Sequence, residues 1–86
     1  MTTLNGWKPT PKLARWIRGY GIRPLARDLQ ERLRQVDRNL SEPGVRARIY
    51  EWLRGKEAPN PNFAAALITL SQRSEQGRLS YEDIYG

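Results

Sequence analysis

The sequence contains no cysteine and no histidine. Those two absences together exclude disulfides, zinc sites of the usual Cys/His kind, thiol nucleophiles and imidazole bases. No metal and no cofactor is expected. Without cysteine, thiol usage says nothing about compartment. No apolar run is long enough to span a bilayer. The first residues, "MTTLNGWKPTP", lack the basic-then-apolar pattern of a secretory signal. A cytoplasmic protein is the default expectation. There is no internal repeat and no low-complexity tract. Acid is also scarce: nine Asp and Glu stand against 15 Lys and Arg, for a net charge of +6. Most of the positive charge is arginine, whose planar fork of donors matches phosphate and guanine edges. A small, arginine-rich chain is therefore a candidate nucleic-acid binder.

With 86 residues, the chain makes one domain, residues 1–86. A domain of this size buries a modest core, so a dimer partner would help it. Residues 1–9 read as a flexible lead, broken by Gly6 and Pro9, with Trp7 folding back onto the body. A helical body follows over 11–76. Thr10-Pro11 is a helix start, since Thr caps and Pro suits the first position. Leu13, Trp16, Ile17 and Tyr20 then make an apolar stripe at helical spacing, closed by Gly19 and Gly21. A second helix begins near Pro24. Leu25, Leu29, Leu33 and Val36 face inward, and Arg27, Glu31, Arg34 and Arg38 face out. "DRNLSEPG" breaks it. Ser41 caps a third helix with Glu42 and Pro43 in its first turn, and Gly55 stops it. A fourth follows "APNPN", capped by Asn60 or Asn62. Phe63, Leu67, Leu70 and the alanines of "FAAALITLSQR" mark it as the central core helix.

The tail, 77–86, has two readings. Ser80 and Asp83 have the spacing of a capping box, which implies a short helical turn, but the same residues could form a strand. Leu79, Tyr81, Ile84 and Tyr85 are too apolar for a free end. They close the core or form a dimer surface. The fold class is all-α: a compact bundle of four to five helices, with a short C-terminal helix or strand.

The third helix, "GVRARIYEWLR", is two-faced. At about 100° per residue, Val45, Ile49, Trp52 and Leu53 fall on one side. Ala47, Tyr50, Glu51 and Arg54 fall opposite, flanked by Arg46 and Arg48. This outer face is not the Glu/Lys lattice of an ordinary solvated helix. A small residue between long basic ones suits a helix end entering a major groove. The plainer alternative is that any helix must place something polar outside, and arginine is a good helix former.

The stretch "VRARIYEWLRGKEAPNPNFAAALITLSQ" resembles the second half of the Cro/repressor-type helix-turn-helix family. Ile49 stands at the apolar middle of the recognition helix. Arg54-Gly55-Lys56 forms the basic-Gly-basic turn, Pro59 follows it, and the apolar "ALITLSQ" helix comes next. Upstream, "LARWIRGYGIRPLARDL" is similar to the family's first two helices, with Leu25-Ala26 and Leu29 at the packing positions. The resemblance covers roughly residues 11–72. It implies a DNA-binding transcriptional regulator, a homodimer on a two-fold operator of double-stranded DNA. Arg46, Ala47 and Tyr50 would meet base edges. Arg48, Arg54 and Lys56 would hold phosphates, as would Arg23 and Arg27. Arg23 lies where the family has a backbone-clamping Gln or Ser. Glu51 would orient a neighbouring arginine. The chain departs from the family between its two motif helices. Residues 31–43 replace a turn of about 3–4 residues, either by lengthening the second helix or by forming a loop. Arg34 and Arg38 of that connection could touch phosphate.

Two other classes compete. A basic helical module could instead bind an acidic protein partner, with Trp7, Tyr81, Ile84 and Tyr85 as anchors. RNA binding ranks lower, for want of exposed aromatics at stacking spacing. An enzyme is not expected. Glu82 and Asp83 are adjacent and would point apart on a helix, and Lys8, Lys12 and Lys56 sit in capping or polar contexts.

Overall fold

The computed structural model describes residues 6–86. The first part of the lead, residues 1–5, lies outside the described residues. Five helices follow in order: α1 (Pro11–Tyr20), α2 (Ile22–Leu33), α3 (Glu42–Leu53), α4 (Pro61–Ser71) and α5 (Tyr81–Tyr85). No strand occurs among the described residues. The fold is a small all-α bundle.

Local chemistry sets most of the boundaries. The Thr10 hydroxyl accepts from the Leu13 amide at 3.1 Å, with Pro11 in the first turn of α1. Gly21 ends α1 and begins α2 at φ +100°, a backbone conformation that L side chains rarely adopt. One residue therefore turns the chain between the two helices. Ser41 caps α3 and Asn60 caps α4, the latter accepting from the Phe63 amide at 2.9 Å. The tail is a helix: Ser80 and Asp83 form the reciprocal capping box, with the Ser80 amide donating to Asp83 at 2.9 Å.

The central helix is α2, not α4 as the apolar run of α4 implied. α2 packs on α1, α3 and α4, and α5 bridges α1 and α4. Leu13, Ile17, Leu25, Leu29, Val45, Ile49, Trp52, Leu67 and Ile84 are fully buried at the junction. In α4, Ala65 is exposed and Leu70 is half-buried, so this helix presents one face to the core rather than all of it. Trp52 meets the Phe63 ring edge-on, centroids 5.2 Å apart. By its period Val36 continues the inner stripe of α2, but it is 67% exposed. The helix ends at Leu33, whose carbonyl is taken by the amides of Val36 and Asp37, and the chain turns before Val36 could reach the core.

The two ends of the described residues close on each other. Trp7 is buried, and its indole N–H donates to the Ile84 carbonyl at 3.1 Å. The lead is thus docked from Trp7 onward rather than loose. Thr10 donates to the Asp83 carbonyl, and Lys12 pairs with the Asp83 carboxylate at 3.0 Å. Tyr85 donates to the Pro59 carbonyl at 2.6 Å. The buried Ser71 hydroxyl donates to Ile68 and accepts from the Leu79 amide at 2.8 Å, which fastens the tail to α4. Among the described residues every buried polar side-chain atom has a partner, as a dry interior requires.

Candidate nucleic-acid interface

α3 is held by its inner face. Val45, Ile49 and Trp52 are buried against the rest of the bundle, and Leu53 packs at the edge. The outward residues then follow from helical phase alone. Ala47, Arg48, Tyr50 and Arg54 are exposed, Tyr50 by 45%, while Arg46 and Glu51 are half-buried. Ala47 makes a low point between long side chains.

The start of α3 is acidic and ordered. The Ser41 hydroxyl accepts from the Gly44 amide at 3.2 Å. Glu42 lies in the first turn, where a negative charge meets the positive end of the helix dipole. Its carboxylate stands 3.7 Å from the Arg46 guanidinium, one turn on. Glu51 makes no ion pair among the described residues. The carboxylate within ion-pair distance of an arginine on this helix is therefore Glu42, where the sequence pointed to Glu51. The i,i+4 spacing of Glu42 and Arg46 was visible in the sequence. Arg48 leans to one flank, its guanidinium 5.6 Å from the centroid of the Phe63 ring.

The far end of α3 closes in a Schellman arrangement. Gly55, at φ +72°, donates to the Trp52 carbonyl at 3.0 Å, and Lys56 donates to the Glu51 carbonyl at 3.0 Å. Arg54 and Lys56 emerge exposed from this turn. On α2, Arg23 is exposed, and Arg27 is exposed with its guanidinium 3.6 Å from Asp28. Asp28 also accepts from the Tyr20 hydroxyl. Burial, and then that hydrogen bond, push the Tyr20 hydroxyl up to about 12. Tyr20 and Asp28 thus form a structural pair at the α1–α2 corner, and Arg27 is partly neutralised by it. Only three of the 15 cations have a carboxylate within ion-pair distance among the described residues. Most of the positive charge is unpaired at the surface, available to a polyanion.

Arg34 and Arg38 lie in the connection after α2, exposed, on a cleft they share with Gln30 and Gln35. A second cleft, of about 490 Å³, opens between α1, α2 and the end of α4, near Tyr20, Arg32 and Arg73.

The tail corrects the dimer expectation. Leu79 and Ile84 are core residues, 5% and 0% exposed, and offer no surface to a second subunit. Tyr85 is half-buried and bonded to Pro59. Tyr81 alone of the four is well exposed, its ring stacked on that of Tyr85 at 6.5 Å.

The described residues contain no group of acids that could hold a metal ion, and no helix long and apolar enough to cross a membrane. The chain matches no protein-family model, no curated protein and no solved structure.

Proposed function

We propose that this chain is a sequence-specific DNA-binding regulator of transcription that lays the outer face of α3 in the major groove. The observation behind this reading is the composition of that face. Ala47 lies low between Arg46 and Arg48, Tyr50 stands one turn on, and Arg54 and Lys56 close the end. In this reading α2 and α3 are the two helices of a helix-turn-helix, joined by residues 34–41 in place of the short turn.

Arg46 reads a base. Its fork suits the O6 and N7 acceptors of guanine, and Glu42 holds it near that orientation, which lowers the entropy lost on binding. Ala47 lets the helix approach, and Tyr50 reaches an adjacent base edge. Arg48, Arg54, Lys56 and Arg23 hold phosphates, which fix register without reading sequence. Arg27 adds to this more weakly, since Asp28 shares its charge. A two-fold operator calls for two copies. With Leu79 and Ile84 in the core, Tyr81 and the outer edge of Tyr85 are what the tail offers to such a contact.

The test is binding to a labelled duplex from upstream of the protein's own gene, against a scrambled duplex, over a salt series. Arg46→Ala should lose the preference by roughly 10- to 100-fold, the value of one bidentate arginine–guanine contact. Lys56→Ala should weaken both duplexes alike and flatten the salt slope. Equal, weak binding of both duplexes by the unaltered protein, vanishing near physiological salt, would sink the proposal. A pull-down for an acidic protein partner would then be the next experiment.

A further inference from the structure

The connection between α2 and α3 is a built loop. The amides of Val36 and Asp37 both donate to the Leu33 carbonyl at 2.9 Å, and the Leu40 amide donates to Asp37 at 3.3 Å. The Asp37 carboxylate accepts from the Asn39 amide at 3.0 Å. At the far end, the Gln30 side chain donates to the Leu40 carbonyl at 3.3 Å, which ties the loop back to α2.

These bonds frame a shallow cleft of about 460 Å³ lined by Gln30, Arg34, Gln35 and Arg38. Its lining is rich in hydrogen-bond donors: two guanidinium groups and two amides. Neither arginine has a carboxylate partner among the described residues. Asp37, the one acid within the loop, turns one oxygen to the Asn39 amide and lines a separate, smaller recess with Val36, Leu40 and Phe63. Two arginines beside one cleft repel each other weakly until an anion comes between them. The same loop abuts the start of α4 at Asn60 and Phe63, and Arg48 of α3 lies over that Phe63 ring. The loop and one flank of α3 are therefore neighbours.

We infer that the Arg34–Arg38 cleft is a second nucleic-acid contact, a seat for phosphodiester groups of the duplex that α3 engages. The inference rests on the proposal that α3 binds DNA. No apolar residue lines the cleft, only the stems of polar and charged side chains, and peptide interfaces draw most of their energy from aromatic and other large anchors seated in pockets. What it offers suits an anionic oxygen. The fork of each guanidinium takes phosphate oxygens in pairs, and the glutamine amides add donors without adding charge. The contact carries no base information. It lengthens the footprint and slows dissociation on either duplex. The extra residues between α2 and α3 would thus replace a turn by a phosphate clamp.

The test uses the full chain and the same two duplexes, the upstream one and the scrambled one, over a salt series. Arg34→Gln/Arg38→Gln is compared with Arg73→Gln/Arg78→Gln. The second variant removes the same charge from the connection that follows α4, whereas the loop abuts the start of that helix. Both pairs are exposed, and the fold of each variant is checked by circular dichroism. The loop variant should weaken both duplexes and make the slope of log K against log salt shallower by about 0.9 for each phosphate lost. The ratio of upstream to scrambled binding should stay as in the unaltered protein, and the Arg73/Arg78 variant should change the slope by less than half as much. A slope unchanged by the loop variant, or one changed equally by both variants, overturns the cleft as a contact. A lost duplex preference in the unaltered protein, with the slope effect of the loop retained, overturns the α3 proposal and leaves the cleft standing. No binding of either duplex by the unaltered protein overturns both.

Discussion

The Glu42 carboxylate lies 3.7 Å from the Arg46 guanidinium, one turn apart at the start of α3, with both side chains about two-thirds covered. An i,i+4 pair of this kind stabilises a helix by about 0.2–0.5 kcal/mol, which is minor for the fold. Its consequence for DNA is larger. Glu42 repels phosphate and steers Arg46 at once. Glu42→Gln should therefore strengthen binding to a scrambled duplex, since a repulsive charge is gone, while narrowing the preference for the upstream duplex, since Arg46 is less constrained. Titrating both duplexes at one salt concentration decides it. An unchanged preference would mean that Arg46 needs no steering.

Trp52 joins α3 to the core. It is 1% exposed and its ring meets Phe63. Truncating a buried tryptophan to alanine costs about 3–5 kcal/mol, by lost burial and by the cavity left behind. A domain of 86 residues has about 4–13 kcal/mol to lose, at roughly 0.05–0.15 kcal/mol per residue. Trp52→Ala should thus remove a large part of the stability and lower the urea midpoint sharply. A variant with a nearly normal midpoint would mean that α3 presents a different face to the core, and the assignment of Ala47 and Tyr50 to the outside would fall with it.

Helical phase and caps were legible in the sequence because they depend on neighbours within a turn. Thr10, Ser41 and Ser80 cap as their types imply, and Val45, Ile49 and Trp52 are inside because they share one face of one helix. What depends on distant partners was not legible. Val36 fits the period of α2, but the helix stops three residues earlier, and no local signal stronger than "DRNL" marked the end. Ile84 and Leu79 look alike as core or as interface until Trp7 and Ser71 are seen to close on them. Gln30 carries no motif, and only the folded loop shows that it reaches Leu40.

The separation of Ile84 from Tyr81 is itself testable. Ile84 is fully buried, whereas Tyr81 is 56% exposed on the same short helix. Ile84→Ala should lower stability by about 2–5 kcal/mol at every protein concentration, because the loss is within one chain. Tyr81→Ala should leave the unfolding of the dilute protein nearly as it was. If Tyr81 belongs to a dimer contact, the variant should lose the concentration dependence of the melting temperature that mass action gives an associating protein. Thermal unfolding over a range of concentrations measures both. A concentration-dependent effect of Ile84→Ala alone would place the interface where the core has been assigned.

Two titrations should bound the stability of the fold at its ends. The Lys12 ammonium beside Asp83, and then the Ser80 amide, hold the Asp83 carboxyl below its ordinary value of 3.8. Its contribution is complete above that unfolded value and is lost as pH falls through the lower folded one. Tyr20 behaves in the opposite sense. Its hydroxyl is raised from 10.0 to about 12, chiefly by burial and then by Asp28. The proton is bound more tightly in the folded chain, so the contribution is complete below pH 10.0 and is lost as pH rises toward about 12. Urea midpoints across pH should fall off on both sides. Asp83→Asn, which gives up the ion pair and part of the capping box, should cost about 1 kcal/mol at neutral pH and reduce the acid limb. Tyr20→Phe should reduce the alkaline limb and leave the acid one alone. If each variant lowered the whole curve evenly, without changing its shape, neither group would be coupled to folding through its proton.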